Sequence, residues 1–103
     1  MLNNEDKCYS IYKINKGDSL YSIAKNYNVN PVLLSHMNGI GENDYIYPDQ
    51  ELLIPKKDYV YYISVEGDTL DIIADKFGIN TEDIIRENTI YLLPGQLLFH
   101  KKG

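Results

Sequence analysis

An internal repeat constrains this chain more than any other feature. Shifted by 50 positions, Gly17 over Gly67, the sequence lies over itself. Tyr12-Lys-Ile-Asn-Lys-Gly-Asp-Ser-Leu20 matches Tyr62-Ile-Ser-Val-Glu-Gly-Asp-Thr-Leu70, Ile23-Ala24 matches Ile73-Ala74, Tyr27 matches Phe77, and Asn38 matches Asn88. Towards the ends, Pro48-Asp-Gln-Glu-Leu52 faces Pro94-Gly-Gln-Leu-Leu98. Self-similarity at a fixed period marks one structural unit used twice. It overrules the length of 103 residues, which alone would suit a single core. A unit of about 45 residues lies near the lower limit for folding without a metal or a disulfide. The single cysteine, Cys8, provides no internal bridge, so each half draws its stability from burial. Cys8 reads as a reduced thiol without a role, with an intermolecular bridge as the alternative.

Each unit reads as strand, helix, helix, strand. Residues 9–14 and 59–65 are rich in Tyr, Ile and Val, which suits strands. Gly17-Asp18 and Gly67-Asp68 end them, with Asp18 or Ser19, and Asp68 or Thr69, expected to cap the next helix. Leu20, Ile23, Ala24 and Tyr27 then fall at i, i+3, i+4 and i+7, and Leu70, Ile73, Ala74 and Phe77 repeat the spacing. That spacing puts one apolar stripe on one helix face. Asn28 and Gly78 stand where a left-handed helix end is needed. Asn30-Pro31 and Asn80-Thr-Glu-Asp83 open the second helices, and Asn38-Gly39 and Asn88 stop them. Leu20, Ile23, Leu34, Leu70, Ile73 and Ile84 are the expected buried set. Closing strands follow at residues 52–54 and 97–99. The expected organisation is a tail over 1–8, units over 9–55 and 61–103, and a short joint over 56–60.

These residues resemble the LysM module, whose pattern runs Tyr-x-Val-x-x-Gly-Asp-Thr-Leu-x-x-Ile-Ala, then Leu and Asn on the second helix, then Ile-x-x-Gly-Gln-x-Leu-x-Ile-Pro. The first unit matches through Tyr12, Gly17, Asp18, Leu20, Ile23, Ala24, Leu34, Asn38, Ile46, Gln50, Leu52, Ile54 and Pro55. The second matches through Tyr62, Gly67 to Leu70, Ile73, Ala74, Ile84, Asn88, Leu92, Gly95, Gln96 and Leu98. The resemblance implies an α+β fold: two tandem β-α-α-β modules, each with two helices on one face of a two-stranded antiparallel sheet. It also implies a shallow groove for N-acetylglucosamine units of peptidoglycan or chito-oligosaccharides. The first groove would use Gly17, Asp18, Ser19, Leu20 and Tyr21 opposite Asn38, Gly39, Ile40 and Ile46. The second would use Gly67, Asp68, Thr69, Leu70 and Asp71 opposite Thr89, Ile90 and Leu92. For Asp18 and Asp68, helix capping is the first role assigned and ligand contact the second.

Three departures from the pattern stand out. From Asn38 to Asp49 the first unit spends 11 residues, whereas from Asn88 to Gly95 the second spends 7, which clips one wall of the second groove. Asp49 replaces a glycine, and Ser64 replaces an apolar strand residue. His100-Lys101 replaces the closing Ile-Pro.

Charge narrows the partners. With 15 acidic and 10 basic residues the net charge is −5, which argues against nucleic acid and against an anionic membrane surface. A neutral partner fits better. No apolar run approaches a membrane span, and the polar start Met-Leu-Asn-Asn-Glu-Asp-Lys lacks the apolar core of a secretion signal. The expectation is a protein made in the cytoplasm that acts there or reaches a cell wall, spore or phage-like particle by another route. His36 and His100 lie apart, without a nucleophile motif or metal-ligand spacing, and read as surface or helix-end residues. No catalytic residue, metal or cofactor is expected. The leading reading is a non-catalytic binder of bacterial cell-wall or spore-cortex peptidoglycan. The alternative is an adaptor that uses the modules for protein contacts in a spore coat or phage-tail-like particle.

Overall fold

In a computed structural model, residues 7–41 and 44–103 are described; the first six residues of the expected tail lie outside them. The elements run β1 (Tyr9–Lys13), α1 (Leu20–Tyr27), α2 (Pro31–Met37), β2 (Glu51–Pro55), β3 (Tyr59–Ile63), α3 (Leu70–Phe77), α4 (Thr81–Glu87) and β4 (Leu97–Lys101). The chain separates into two compact units, Met1–Lys56 and Lys57–Gly103. In each, the first and last strands pair antiparallel, from Tyr9 opposite Pro55 to Lys13 opposite Glu51, and from Tyr59 opposite Lys101 to Ile63 opposite Leu97. Strand β3 thus takes Tyr59 and Val60, two residues of the expected joint. Strand β4 runs on through His100 and Lys101.

Short-range signals place the helices. Ser19 sits in extended backbone and its hydroxyl accepts from the Ser22 amide at 3.0 Å, while the Ser22 hydroxyl accepts from the Ser19 amide at 2.9 Å. This reciprocal cap satisfies two amides that the first turn leaves without helical partners. Thr69 caps α3 through the Ile72 amide. Asn30 accepts from Val32 at 2.8 Å and Asn80 from Asp83 at 2.9 Å. Asn28 and Gly78 end α1 and α3 in the left-handed region, at φ 55° and 71°. Asp18 and Asp68 do not cap; their carboxylates turn back towards the preceding strand.

The first core comprises Ile14, Ile23, Ala24, Leu34, Leu52 and Ile54. The second keeps only Ile73, Ala74, Ile84 and Leu98. Leu20 and Leu70, expected to be buried, are half-buried instead and pack on the core edge. Both open a helix beside the loop that enters it, where one flank of the side chain remains uncovered. The repeat aligns buried Ile14 with Ser64, which is 3% exposed. A buried hydroxyl is costly unless bonded, and Ser64 is bonded twice: it donates to the Leu93 carbonyl at 2.6 Å and accepts from the Gln96 amide at 2.9 Å. Unit 2 thereby exchanges a core side chain for a tie to its clipped loop.

Each sheet has only two strands, so each closing strand needs a partner on its open side. An asparagine supplies it. Asn38 Nδ2 donates to the carbonyls of Leu34 and Leu53, both at 2.8 Å, and its Oδ1 accepts from the Leu53 amide at 2.7 Å. Asn88 does the same for Phe99, accepting at 3.1 Å and donating at 2.8 Å. The side-chain carboxamide acts as one peptide group of a missing third strand, and blocks an edge that would otherwise invite pairing.

Candidate functional site

The first wall of each expected groove is the loop from strand to helix. Gly17 and Gly67 turn it at φ 93° and 89°, where a side chain would find room but a strained backbone. The next residue locks it. Tyr12 Oη donates to Asp18 Oδ2 at 2.6 Å, and the Asn15 amide donates to the same oxygen at 2.9 Å. Tyr62, Asp68 and Val65 repeat the arrangement at 2.7 and 2.9 Å. The Tyr12 hydrogen bond and then the Asn15 amide hold the Asp18 carboxyl below its ordinary value; for Asp68 the Val65 amide leads and Tyr62 follows. The bond to Asp18 pushes the Tyr12 phenol up, and that to Asp68 pushes Tyr62 up. The Tyr12 ring meets Tyr27 edge to face at 5.5 Å, and Tyr62 meets Phe77 at 6.4 Å. Each loop is therefore pinned from its own strand and helix before any ligand arrives.

The second walls differ. In unit 1, Ile40 and Ile46 pack on the same core as Leu20, so side chains from both expected walls rest on one apolar core. Tyr45 and Tyr47 stay exposed, and Tyr21 on the opposite loop is 72% exposed. In unit 2, Ile90 packs on the core beside Leu70, but Leu92, the counterpart of Ile46, is 52% exposed with φ 56°. A leucine seldom holds that conformation unless its surroundings impose it. Here Ser64 holds Leu93, and Gln96 bridges the Tyr91 amide and the Thr89 carbonyl. The shorter loop turns Tyr91, Leu92 and Leu93 outward together. Asp49, the replacement for glycine, adopts φ 71° where Gly95 has 81°; aspartate tolerates this region better than most residues.

Among the residues expected in the grooves, Asn38 has its carboxamide committed to backbone, and Asp18 and Asp68 are committed to their tyrosines. Gly39, Thr89 and Asp71 are exposed, while Ile40, Ile46 and Ile90 are half-buried. His100 is not a free surface residue: its Nδ1 lies 2.6 Å from Glu87 Oε1, and the other Glu87 oxygen accepts from the Lys101 amide at 2.9 Å. Burial pushes the Cys8 thiol up, away from the thiolate form that reacts. Among the described residues, no group of three or more His, Cys, Asp or Glu is placed to hold a metal ion. No helix there is long and apolar enough to cross a membrane.

Two open clefts lie elsewhere, at equivalent places in the repeat. The first, of about 300 Å³, is lined by Tyr21, Ala24, Lys25, Asn28, Val29 and Pro31, and the second by Asp71, Ile72, Ala74, Asp75, Ile79, Asn80 and Thr81. Each follows the outer face of the unit's first helix to the turn before its second. Sequence reasoning missed both, although Tyr21, Lys25 and Asn28 fall at i, i+4 and i+7, the spacing of one face.

The LysM domain pattern matches residues 12–55 and 62–99, one span in each unit. The chain belongs to the LysM domain family. Over 100 residues it is 33% identical to the N-acetylmuramoyl-L-alanine amidase sle1 of Staphylococcus saprophyticus, covering 84% of this chain and 30% of that protein. The sle1 amidase of Staphylococcus aureus strain MRSA252 is 30% identical, over 86% of this chain and 33% of its own length. An autolysin of Enterococcus faecalis is 29% identical, over 98% and 17%. This LysM pair therefore spans about a third or less of the curated relatives it matches. The crystal structure of the Bacillus cereus spore cortex-lytic enzyme SleL aligns with 94% of this chain and 23% of its own, at 25% identity and a TM-score of 0.46.

Proposed function

We propose that the chain binds N-acetylglucosamine-containing glycan of bacterial peptidoglycan, spore cortex included, without acting on it chemically, and that module 1 carries most of the binding. The observation that supports this most is that Leu20 of one loop and Ile40 and Ile46 of the other rest on one apolar core in module 1. An N-acetyl group presents one donor, one acceptor and a methyl. Backbone groups of two facing loops over an apolar floor match all three without charge. The amidase and autolysin names of the relatives point to the same polymer. Module 2 keeps the pinned first wall, but its second wall turns Leu92 outward. A ligand amide held by one wall stays half-solvated, and its bonds compete with water.

Titration with chito-oligosaccharide, followed by amide NMR, tests this reading. Shifts are expected at residues 17–21 and 38–46, with weaker ones at 67–71 and 88–92, together with co-sedimentation on purified peptidoglycan. Shifts confined to module 2 would overturn the asymmetry. No shift at millimolar sugar would overturn glycan binding and favour the adaptor reading.

A further inference from the structure

We propose that the α1 cleft of module 1 is a second site, which takes a short acidic peptide: the carboxylate-bearing stem that branches from a peptidoglycan strand. The assignment of that peptide's source rests on the glycan reading above. The chemistry of the cleft stands separately, and its peptide probe carries an acetylated amine so that it keeps the net negative charge of the stem. Ala24, Val29 and Pro31 give it an apolar floor, and Tyr21, Lys25 and Asn28 ring it. None of those three side chains has a hydrogen-bond or ion-pair partner among the described residues. An apolar floor with a few converging uncommitted polar groups is the usual make-up of a ligand site. An ammonium and a carboxamide together suit a carboxylate.

Charge around the cleft selects the same class. Residues 19–41, which include both helices of module 1, contain no Asp or Glu at all. The equivalent stretch of module 2, residues 69–91, contains Asp71, Asp75, Glu82, Asp83 and Glu87 against Lys76 and Arg86. Asp71 and Asp75 line the matching cleft and stand where module 1 has Tyr21 and Lys25. In a protein of net charge −5, a carboxylate ligand meets attraction at the first cleft and repulsion at the second.

Position links the cleft to the groove. Tyr21 belongs to the first groove wall and to the lip of the cleft. From Tyr21 to Asn28 the helix advances about 10 Å, the length of about three extended peptide residues. A strand seated in the groove would deliver a branch along this face, with its carboxylates reaching Lys25.

Three ligands separate the possibilities: chitotetraose, a disaccharide-tripeptide muropeptide, and the sugar-free N-acetyl-alanyl-glutamyl-lysine tripeptide. Amide shifts at Lys25, Asn28 and Val29 are expected with both peptide-bearing ligands and not with chitotetraose. Lys25→Glu should weaken muropeptide binding about tenfold, and leave chitotetraose within about twofold. Lys25→Gln serves as the milder variant should charge reversal disturb the helix end. If chitotetraose and muropeptide shift only the groove, and Lys25→Glu treats them alike, the cleft is no peptide site although glycan binding stands. If the tripeptide shifts the cleft while no sugar shifts anything, the cleft assignment holds and the glycan reading falls. Silence with all three overturns both.

Discussion

Replacing Asn38 by alanine removes three hydrogen bonds at once, at 2.8, 2.8 and 2.7 Å. A neutral hydrogen bond contributes about 0.5–1.5 kcal/mol net, and a donor left unpaired away from water costs more. Leu53 loses partners at both its amide and its carbonyl. Leu34 is affected less, because its carbonyl also receives the Asn38 backbone amide. The loss comes to about 2–4 kcal/mol, a large part of the stability open to so small a unit. Denaturant melts should show a lower midpoint at unchanged slope for module 1 resonances, and the Leu53 amide should exchange faster. Asn38→Asp should be at least as damaging, because it keeps the acceptor but sets a carboxylate against two carbonyls. A cost below about 0.5 kcal/mol, or an aspartate better tolerated than alanine, would refute the third-strand argument.

Ser64→Ala should destabilise module 2 by about 1–3 kcal/mol, since the Gln96 amide and Leu93 carbonyl both lose a buried partner. Hydrogen exchange at Gln96 should accelerate, and an unchanged rate would show that the hydroxyl does not hold the loop. Stability should also depend on pH at both extremes. The depressed Asp18 and Asp68 contribute fully above the ordinary carboxyl value of 3.8 and lose that contribution as pH falls below it. The raised Tyr12 and Tyr62 contribute below the ordinary phenol value of 10.0 and lose it as pH climbs past it. Tyr12→Phe with Tyr62→Phe should flatten the alkaline fall in pH-dependent melts; an unaltered alkaline limb would point to other groups.

The helices were legible because their signals are local: Ser19, Asn28, Asn30, Gly78 and Asn80 act within a few residues of where they stand. The pairing of first and last strands is what the resemblance to the LysM module implies; the repeat itself gives only their order. What stayed hidden depends on side chains meeting across the fold. Aspartate after glycine before a helix usually caps it, and nothing in the string shows that Tyr12 reaches Asp18 first. Asn38 is a groove residue by resemblance, and its structural role is hidden in the string because its partner Leu53 lies 15 positions on. Ser64 looked like a flaw until Leu93, 29 positions away, came to rest on it. The clipped loop was visible as a count, but its outcome, Leu92 turned out where Ile46 turns in, required the packing itself. The cleft was missed for another reason. Its polar lining residues, Tyr21, Lys25 and Asn28, lie outside the repeated motif, and the lack of carboxylates between Ser19 and Gly41 is evident only when the two halves are compared for charge.

The antiparallel pairing of each unit's opening and closing strands has a consequence for how such units travel between genes. With Tyr9 opposite Pro55, and Tyr59 opposite Lys101, the chain arrives and departs through neighbouring points. A unit with adjacent ends can be set into a surface turn, appended, or copied in series without pulling its strands apart. Duplication requires only enough connecting chain to leave one β-ladder and begin another, and Lys56-Lys-Asp58 supplies that in three residues. Once doubled, the two copies can differ without disturbing each other's strand pairing, and the shorter loop, buried serine and more numerous acids of the second half are differences of that kind.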